Sequence, residues 1–112
     1  MTVRLMVCVL ASVLLLTVSC DVCAGDAKAG RAKAVMCQAC HGMDGISKAP
    51  DAPNIAGQTE PYLITQLQAF KSGARKSESM TVVASTLTDK QIEDLAAYYS
   101  AIEIKVGRIP GE

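Results

Sequence analysis

Apolar positions fall into two regimes along this 112-residue chain. From Leu5 to Cys20 they run together, interrupted only by Ser12, Thr17 and Ser19. After Gly25 they recur at helical spacing between polar loops. Asp26 offers an N-cap ahead of Ala27, and Ala27, Ala29, Ala32, Ala34 and Val35 favour a first helix that delivers Cys37 at its C-terminal end. Gly30 within it permits close approach by another helix. Residues 42–57 hold three Gly, two Pro and two Asp, the composition of a loop. Thr59 is read as the cap of a second helix, with Glu60 and Pro61 in its first turn, favoured by the helix dipole and by the missing proline N–H. Leu63, Leu67 and Phe70 give that helix one apolar stripe, and Gly73 ends it. Residues 74–79 are polar, which puts Met80 in a loop or short turn. Thr88-Asp89-Lys90-Gln91 is a capping box, flanked by the hydrophobic staple Leu87 and Ile92. Leu95, Ala96, Tyr99 and Ile102 share one side of the third helix, with Tyr98 adjacent. The tail from Gly107 to Glu112 is loose. No alternating strand pattern and no repeat is present, so the chain reads as all-α.

The first regime has the three parts of an export signal. Met1-Thr2-Val3-Arg4 is a short basic start, the apolar run follows, and Val22-Cys23-Ala24 supplies small residues for cleavage. The run covers 16 positions, whereas a spanning helix needs about 20. Residues 1–24 are therefore taken as a cleaved secretory signal peptide and 25–112 as the mature domain, which places the protein in the periplasm. Two alternatives stand beside this: lipid attachment at Cys20, after Leu16-Thr17-Val18-Ser19, and retention of the run as a membrane anchor.

Removing the leader leaves 88 residues with ten Lys and Arg against ten Asp and Glu. A chain without a basic excess is not built for nucleic acid. The mature part has one Phe, three Tyr and no Trp, so its core is thin. Domains of this size usually need a disulfide, a metal or a cofactor to hold them. Three of the five Cys lie in the leader. A disulfide between the other two, Cys37 and Cys40, would close only a small ring, and a large cofactor is the better support.

Cys37-Gln38-Ala39-Cys40-His41 has the spacing of a c-type haem attachment site. Two thiols three positions apart on a helical turn can add to the two vinyl groups on one edge of a porphyrin. The next residue then places an imidazole nitrogen under the iron. A zinc site would need about four ligands, yet Cys37, Cys40 and His41 are the only clustered candidates and His41 is the only histidine. A thioredoxin-like pair would require a βαβ setting that the pattern lacks. For the iron's other axial position the mature methionines are Met36, Met43 and Met80. The first two adjoin the attachment motif on its own side. Met80, 39 residues past His41, can return on the opposite face. A thioether ligand raises the reduction potential, and two filled axial positions leave no open site for a substrate.

These residues resemble the class I bacterial cytochromes c, and are similar to the domains of the two-haem branch. The matching residues are Gly25-Asp26-Ala27, Gly30, the motif with Gly42, Asp44-Gly45, Pro53-Asn54-Ile55-Ala56-Gly57-Gln58, Tyr62-Leu63 and Gln66-Leu67. They continue through Phe70-Lys71-Ser72-Gly73, Arg75, Met80 and Leu95-Ala96-Ala97-Tyr98-Tyr99. The resemblance implies a small class I fold, three main helices and loops wrapped around one covalent haem. It also implies that the Pro53 carbonyl orients the imidazole of His41, that Tyr62 lies near a haem propionate, and that the first and last helices cross where Gly30 meets the Tyr98 face. Two departures stand out. Ala34 replaces a common aromatic, and the two-haem relatives continue into a second domain whereas this sequence stops at Glu112. The expectation is a monomeric, non-enzymatic electron carrier with one haem c, serving redox protein partners: a reductase or dehydrogenase as donor, and an oxidase or other acceptor. The alternative is an electron-transfer subunit docked on a dehydrogenase or terminal oxidase, for which Ile102, Ile104, Val106 and Ile109 would be the apolar contact. A haem peroxidase or gas sensor is a third class, disfavoured by the filled axial position. Lys71, Arg75 and Lys76 form one basic cluster in sequence, either a steering patch or a solvated helix end.

Overall fold

The computed structural model describes residues 24–112, so the leader and the question of Cys20 lie outside the described residues. Among the described residues the chain is helical, with no strand. The first helix, α1 (Ala27–Lys33), is capped by Asp26, whose side chain accepts from the N–H groups of Lys28 and Ala29 at 2.8 and 3.2 Å. The path to the motif is not one continuous helix. It tightens into a 3₁₀ turn at Ala34–Met36, with the Cys37 N–H on the Ala34 carbonyl, and restarts as the one-turn α2 (Gln38–His41).

After the long loop comes α3 (Glu60–Ser72), with Leu63 and Phe70 buried and Leu67 half-buried on its inner stripe. Thr59 sits at the N-cap with extended backbone, but its side chain makes no capping bond. Its hydroxyl is thus not the cap that the sequence suggested. The Thr59 N–H is instead taken by the Gln58 side chain at 3.0 Å. Gly73 ends α3 in the left-handed region.

The polar stretch after Gly73 departs from expectation. It leads into a helix, α4 (Glu78–Ser85), with Met80 in its first turn. Ser77 is the N-cap, and its side chain accepts from the Met80 N–H at 3.2 Å. Glu78 in the first turn suits the dipole. The Ser-Glu-Ser run that read as loop is therefore a helix start. The last helix, α5 (Asp89–Ser100), has both halves of the Thr88–Gln91 capping box. Leu87 and Ile92 on either side of it are buried in the same core cluster.

Helix α5 organises the packing, touching both α1 and α3. Ile92, Leu95, Ala96 and Tyr99 are buried on its inner side. At the crossing with α1 the two backbones touch. A Cβ on Gly30 would collide with the Asp94 carbonyl and crowd the Tyr98 Cβ, so only glycine fits. The Asp94 side chain closes the same junction. It accepts the Asp26 N–H at 2.7 Å and binds Lys90. The Lys90 ammonium and the Asp26 N–H hold its carboxyl below the usual carboxylate range.

Two outcomes test this junction. Gly30→Ala should lower stability by about 1–3 kcal/mol, because a methyl group must be forced into a closed contact, read from denaturant unfolding. Asp94→Asn should cost about 1–3 kcal/mol at pH 7, the range for disrupting hydrogen bonds to a buried charged group. The folded state holds the Asp94 carboxyl below its unfolded value of about 3.9. Its contribution is therefore present above that pH and is lost as pH falls through the lower folded value. The gap between the native chain and the Asn variant should close in that window; a pH-independent gap would show that the charge does not matter.

Candidate functional site

The attachment motif is followed by a loop held by several backbone hydrogen bonds. Gly42 has φ +73°, and a Cβ there would strike the Asp44 side chain and the Ile46 carbonyl, so the chain turns sharply straight after His41. The Lys48 N–H returns to the Cys40 carbonyl at 2.8 Å. Asp44 accepts from the Ile46 N–H at 3.0 Å and pairs with Lys48 at 2.9 Å. Lys48, with help from that N–H, holds the Asp44 carboxyl below its ordinary range. Further along, the Gly45 carbonyl accepts from Ile55 and Ala56 at 2.8 and 3.0 Å, and the Asn54 side chain takes the Ser47 N–H at 2.7 Å.

This folding brings Pro53 to the histidine. His41 is buried, only 7% exposed, and its Nδ1 lies 2.9 Å from the Pro53 carbonyl oxygen. A carbonyl can only accept, so Nδ1 carries the proton and Nε2 keeps its lone pair for a metal. Cys37, at the N-cap of α2, is half-buried and Cys40 is exposed, and neither is in a disulfide. Burial pushes the Cys37 thiol up, with the Tyr99 hydroxyl and Lys33 pulling the other way.

A cavity of about 430 Å³ brings these groups together with residues of α3, α4 and α5. Cys37, Cys40, His41 and Pro53 line it from the motif side and Met80 from α4. Leu63, Leu67 and Phe70 of α3 and Leu95 of α5 supply apolar walls. Met36 also lines it, while Met43 packs against the core cluster. Tyr62 stands at the mouth, 48% exposed. The volume falls within the range of small-molecule and cofactor sites, roughly 300–1,000 Å³. One imidazole, the thioethers of Met80 and Met36, two unpaired thiols on a helical turn and apolar walls match the needs of a covalently attached haem.

Two contacts were not legible from spacing. The Tyr98 hydroxyl donates to the Met43 carbonyl at 2.6 Å, and the Tyr99 hydroxyl to the Gly42 carbonyl at 3.1 Å. Their rings meet edge-on, 5.0 Å apart. Together they tie α5 to the turn that follows His41. Burial pushes the Tyr99 phenol well up, and Cys37 adds to the push. The adjacent pair near the end of α5 suggested packing, but nothing local pointed to partners more than fifty residues away.

The basic cluster does not act as a unit. Lys71 pairs with Asp89 at 2.7 Å. Arg75 lies over the Phe70 ring, 4.5 Å from its centroid, and bonds to the Gln66 side chain. Lys76 lines the cavity mouth. In the tail Ile102 is half-buried against the core, whereas Ile104, Val106 and Ile109 are exposed.

Comparison with known proteins gives a consistent answer. The family model described as cytochrome c matches residues 27–102. Cytochrome c4 of Pseudomonas aeruginosa is 48% identical over 84 residues, covering 75% of this chain and 42% of that protein. Cytochrome c-554(548) of Halomonas halodenitrificans is 47% identical over 83 residues, covering 71% of this chain and 100% of that one. The crystal structure of reduced recombinant cytochrome c4 from Pseudomonas stutzeri superposes with a TM-score of 0.68 at 46% identity, over 75% of this chain and 49% of that one. The chain thus spans less than half the length of these cytochrome c4 relatives.

The tyrosine contact is directly testable. Tyr99→Phe keeps the ring but removes one of two donors to the Gly42 carbonyl, the Gly45 N–H at 3.2 Å remaining, and should cost about 0.5–1.5 kcal/mol, read as a lowered unfolding midpoint. A midpoint equal to that of the native chain would show that the hydroxyl does not brace the turn.

Proposed function

The chain belongs to the cytochrome c family, and from that premise we propose that it is a periplasmic carrier of single electrons, with Cys37 and Cys40 attached to haem and His41 and Met80 as axial ligands. Its cofactor is covalently bound haem c, which supplies an iron centre that changes oxidation state by one electron. The observation that supports the ligand assignment most is the shared cavity: Cys37, Cys40, His41 and Met80 all line it.

Each residue has a stated task in this reading. Cys37 and Cys40 would hold the haem through thioethers, each formed by adding S–H across a vinyl double bond. Nε2 of His41 would be the nitrogen left to bind iron, because Nδ1–H is committed to the Pro53 carbonyl, a bond that fixes the ring and raises its basicity. The Met80 sulfur, a soft donor, favours the ferrous state. It is carried in the first turn of α4, where the Met80 N–H donates to the Ser77 hydroxyl. Apolar residues of α3 and α5 line the cavity with both ligands, His41 buried and Met80 half-buried. Cys40, Met36 and Tyr62 remain exposed around the cavity, an edge that a partner protein can approach closely.

Partners are redox proteins meeting this edge in small, short-lived interfaces, as electron-transfer encounters usually are. With no net formal charge on the chain, attraction between partners comes from local groups rather than from the whole molecule. Export follows from the leader at residues 1–24, removed after Ala24. Among the described residues no helix is long and apolar enough to cross a membrane.

Protein made in a host that matures c-type haem should show sharp reduced absorption bands and haem that survives denaturation. It should also show the far-red band of Met bound to ferric iron. Met80→Ala should abolish the far-red band and bring in high-spin features. It should also shift the reduction equilibrium toward ferric iron by at least about tenfold, about 59 mV for one electron. An unchanged spectrum and potential in that variant would remove Met80 from the ligand set, and absence of covalent haem would remove the whole reading.

A further inference from the structure

We propose that Arg75 is a haem-binding residue, its guanidinium taking a propionate carboxylate at the rim of the cavity. This deepens the haem reading above and rests on it. Sulfur, imidazole and hydrocarbon account for most of the cavity, yet a haem also brings two carboxylates. A carboxylate drawn toward an apolar wall needs a donor or a cation to stay ionised. Two cationic side chains line the cavity beside the imidazole, Arg75 and Lys76, against one acid, Asp51.

Arg75 is the one held in place. Its N–H donates to the Ala69 carbonyl at 3.0 Å, fixing the turn beyond α3. Its guanidinium lies over Phe70 and one nitrogen bonds to Gln66. Phe70 and Gln66 line the same cavity as Arg75 itself. Tyr62, one turn before Gln66 on α3, lines the cavity too. The ring and the amide constrain the planar group while engaging few of its five N–H donors. Among the described residues no carboxylate of the chain pairs with it. A fork of donors fixed beside a cofactor cavity, and lacking a protein counter-ion, fits a planar carboxylate in a two-point hydrogen bond.

The test uses haem-loaded protein and reads the reduction potential against pH. Arg75→Gln removes the charge, Arg75→Lys keeps the charge without the fork, and Arg31→Ala removes an exposed cation of α1 that does not line the cavity. The other charged or titratable side chains lining the cavity, Asp51, Tyr62, Lys76 and Tyr99 beside the attachment motif, are kept in every variant. A cation near the iron favours the more negative, reduced haem. Arg75→Gln should therefore shift the equilibrium toward ferric iron by several-fold, up to about tenfold (59 mV). It should also make the potential fall with rising pH through a titration that the native protein lacks near neutrality, because the propionate has lost its cation. Arg75→Lys should restore part of both effects, and Arg31→Ala should change neither. If the Gln variant does not fold, an intermediate shift in the Lys variant supports the proposal. The proposal is overturned if the Arg75 variants match Arg31→Ala in potential and pH profile, even when they unfold more readily, since Arg75 would then serve only to pack Phe70. Failure of the native protein to attach haem would sink the functional reading instead.

Discussion

The touching backbones of Gly30 and Asp94 set the frame on which the site depends. With α1 fixed against α5, the 3₁₀ turn and α2 that follow α1 can project Cys37, Cys40 and His41 in one direction only. The same α5 then reaches the far end of the motif, where Tyr98 and Tyr99 bond to the Met43 and Gly42 carbonyls. The motif is held before its first cysteine and after its histidine by one pair of helices. The imidazole is gripped a third time by Pro53. Any loosening of the helix crossing is therefore transmitted to the histidine rather than absorbed by a flexible loop.

The core explains why such precise placement leaves a cavity at all. Ile92 is fully buried, and Leu95, Leu87 and Tyr99 are nearly so, at 2, 3 and 3% exposure. Ala34, Ala84 and Ala96 fill much of the remaining interior. Small side chains let helices approach but bury little area, at about 25 cal/mol per Å². Leu63, Phe70 and Leu95 are already buried, whereas Leu67 is half-buried and Met36 and Tyr62 beside the cavity are exposed. A flat, largely apolar group that entered the cavity would cover these last three and so add stabilising burial to its redox role.

What could be read in advance follows the range of each interaction. Asp26, the Thr88–Gln91 box and the Leu63, Leu67, Phe70 stripe act within one or two turns, and sequence spacing reveals them. The family pattern around Cys37–His41 showed the haem. The position of Met80 within α4 did not come through, because Ser77, Glu78 and Ser79 look like loop residues until Ser77 is recognised as a cap. Thr59 failed in the opposite sense: a good capping residue stands at the cap, but its hydroxyl does not cap, and Gln58 binds its N–H. The tyrosine hydroxyls and the Arg75 contacts with Phe70 and Gln66 depend on how helices and turns meet in space. The sequence cluster of Lys71, Arg75 and Lys76 divides for the same reason: Lys71 pairs with Asp89 at the start of α5, whereas Arg75 and Lys76 both line the cavity.

The two proposed iron ligands are supported unequally, and that has a consequence for the chemistry. His41 sits in a one-turn helix braced by α5, by the 42–57 loop and by a direct bond to its ring. Met80 has no bond to its side chain, and its placement relies on the Ser77 cap and on α4 lying against α3. A thioether is also the weaker donor for ferric iron. On this reading the sulfur is the contact that thermal motion or oxidation of the iron would release first, while the imidazole and the thioethers stay in place. Fast electron exchange requires that neither ligand move much between oxidation states. The capped first turn of α4 is the part of the fold on which that requirement falls.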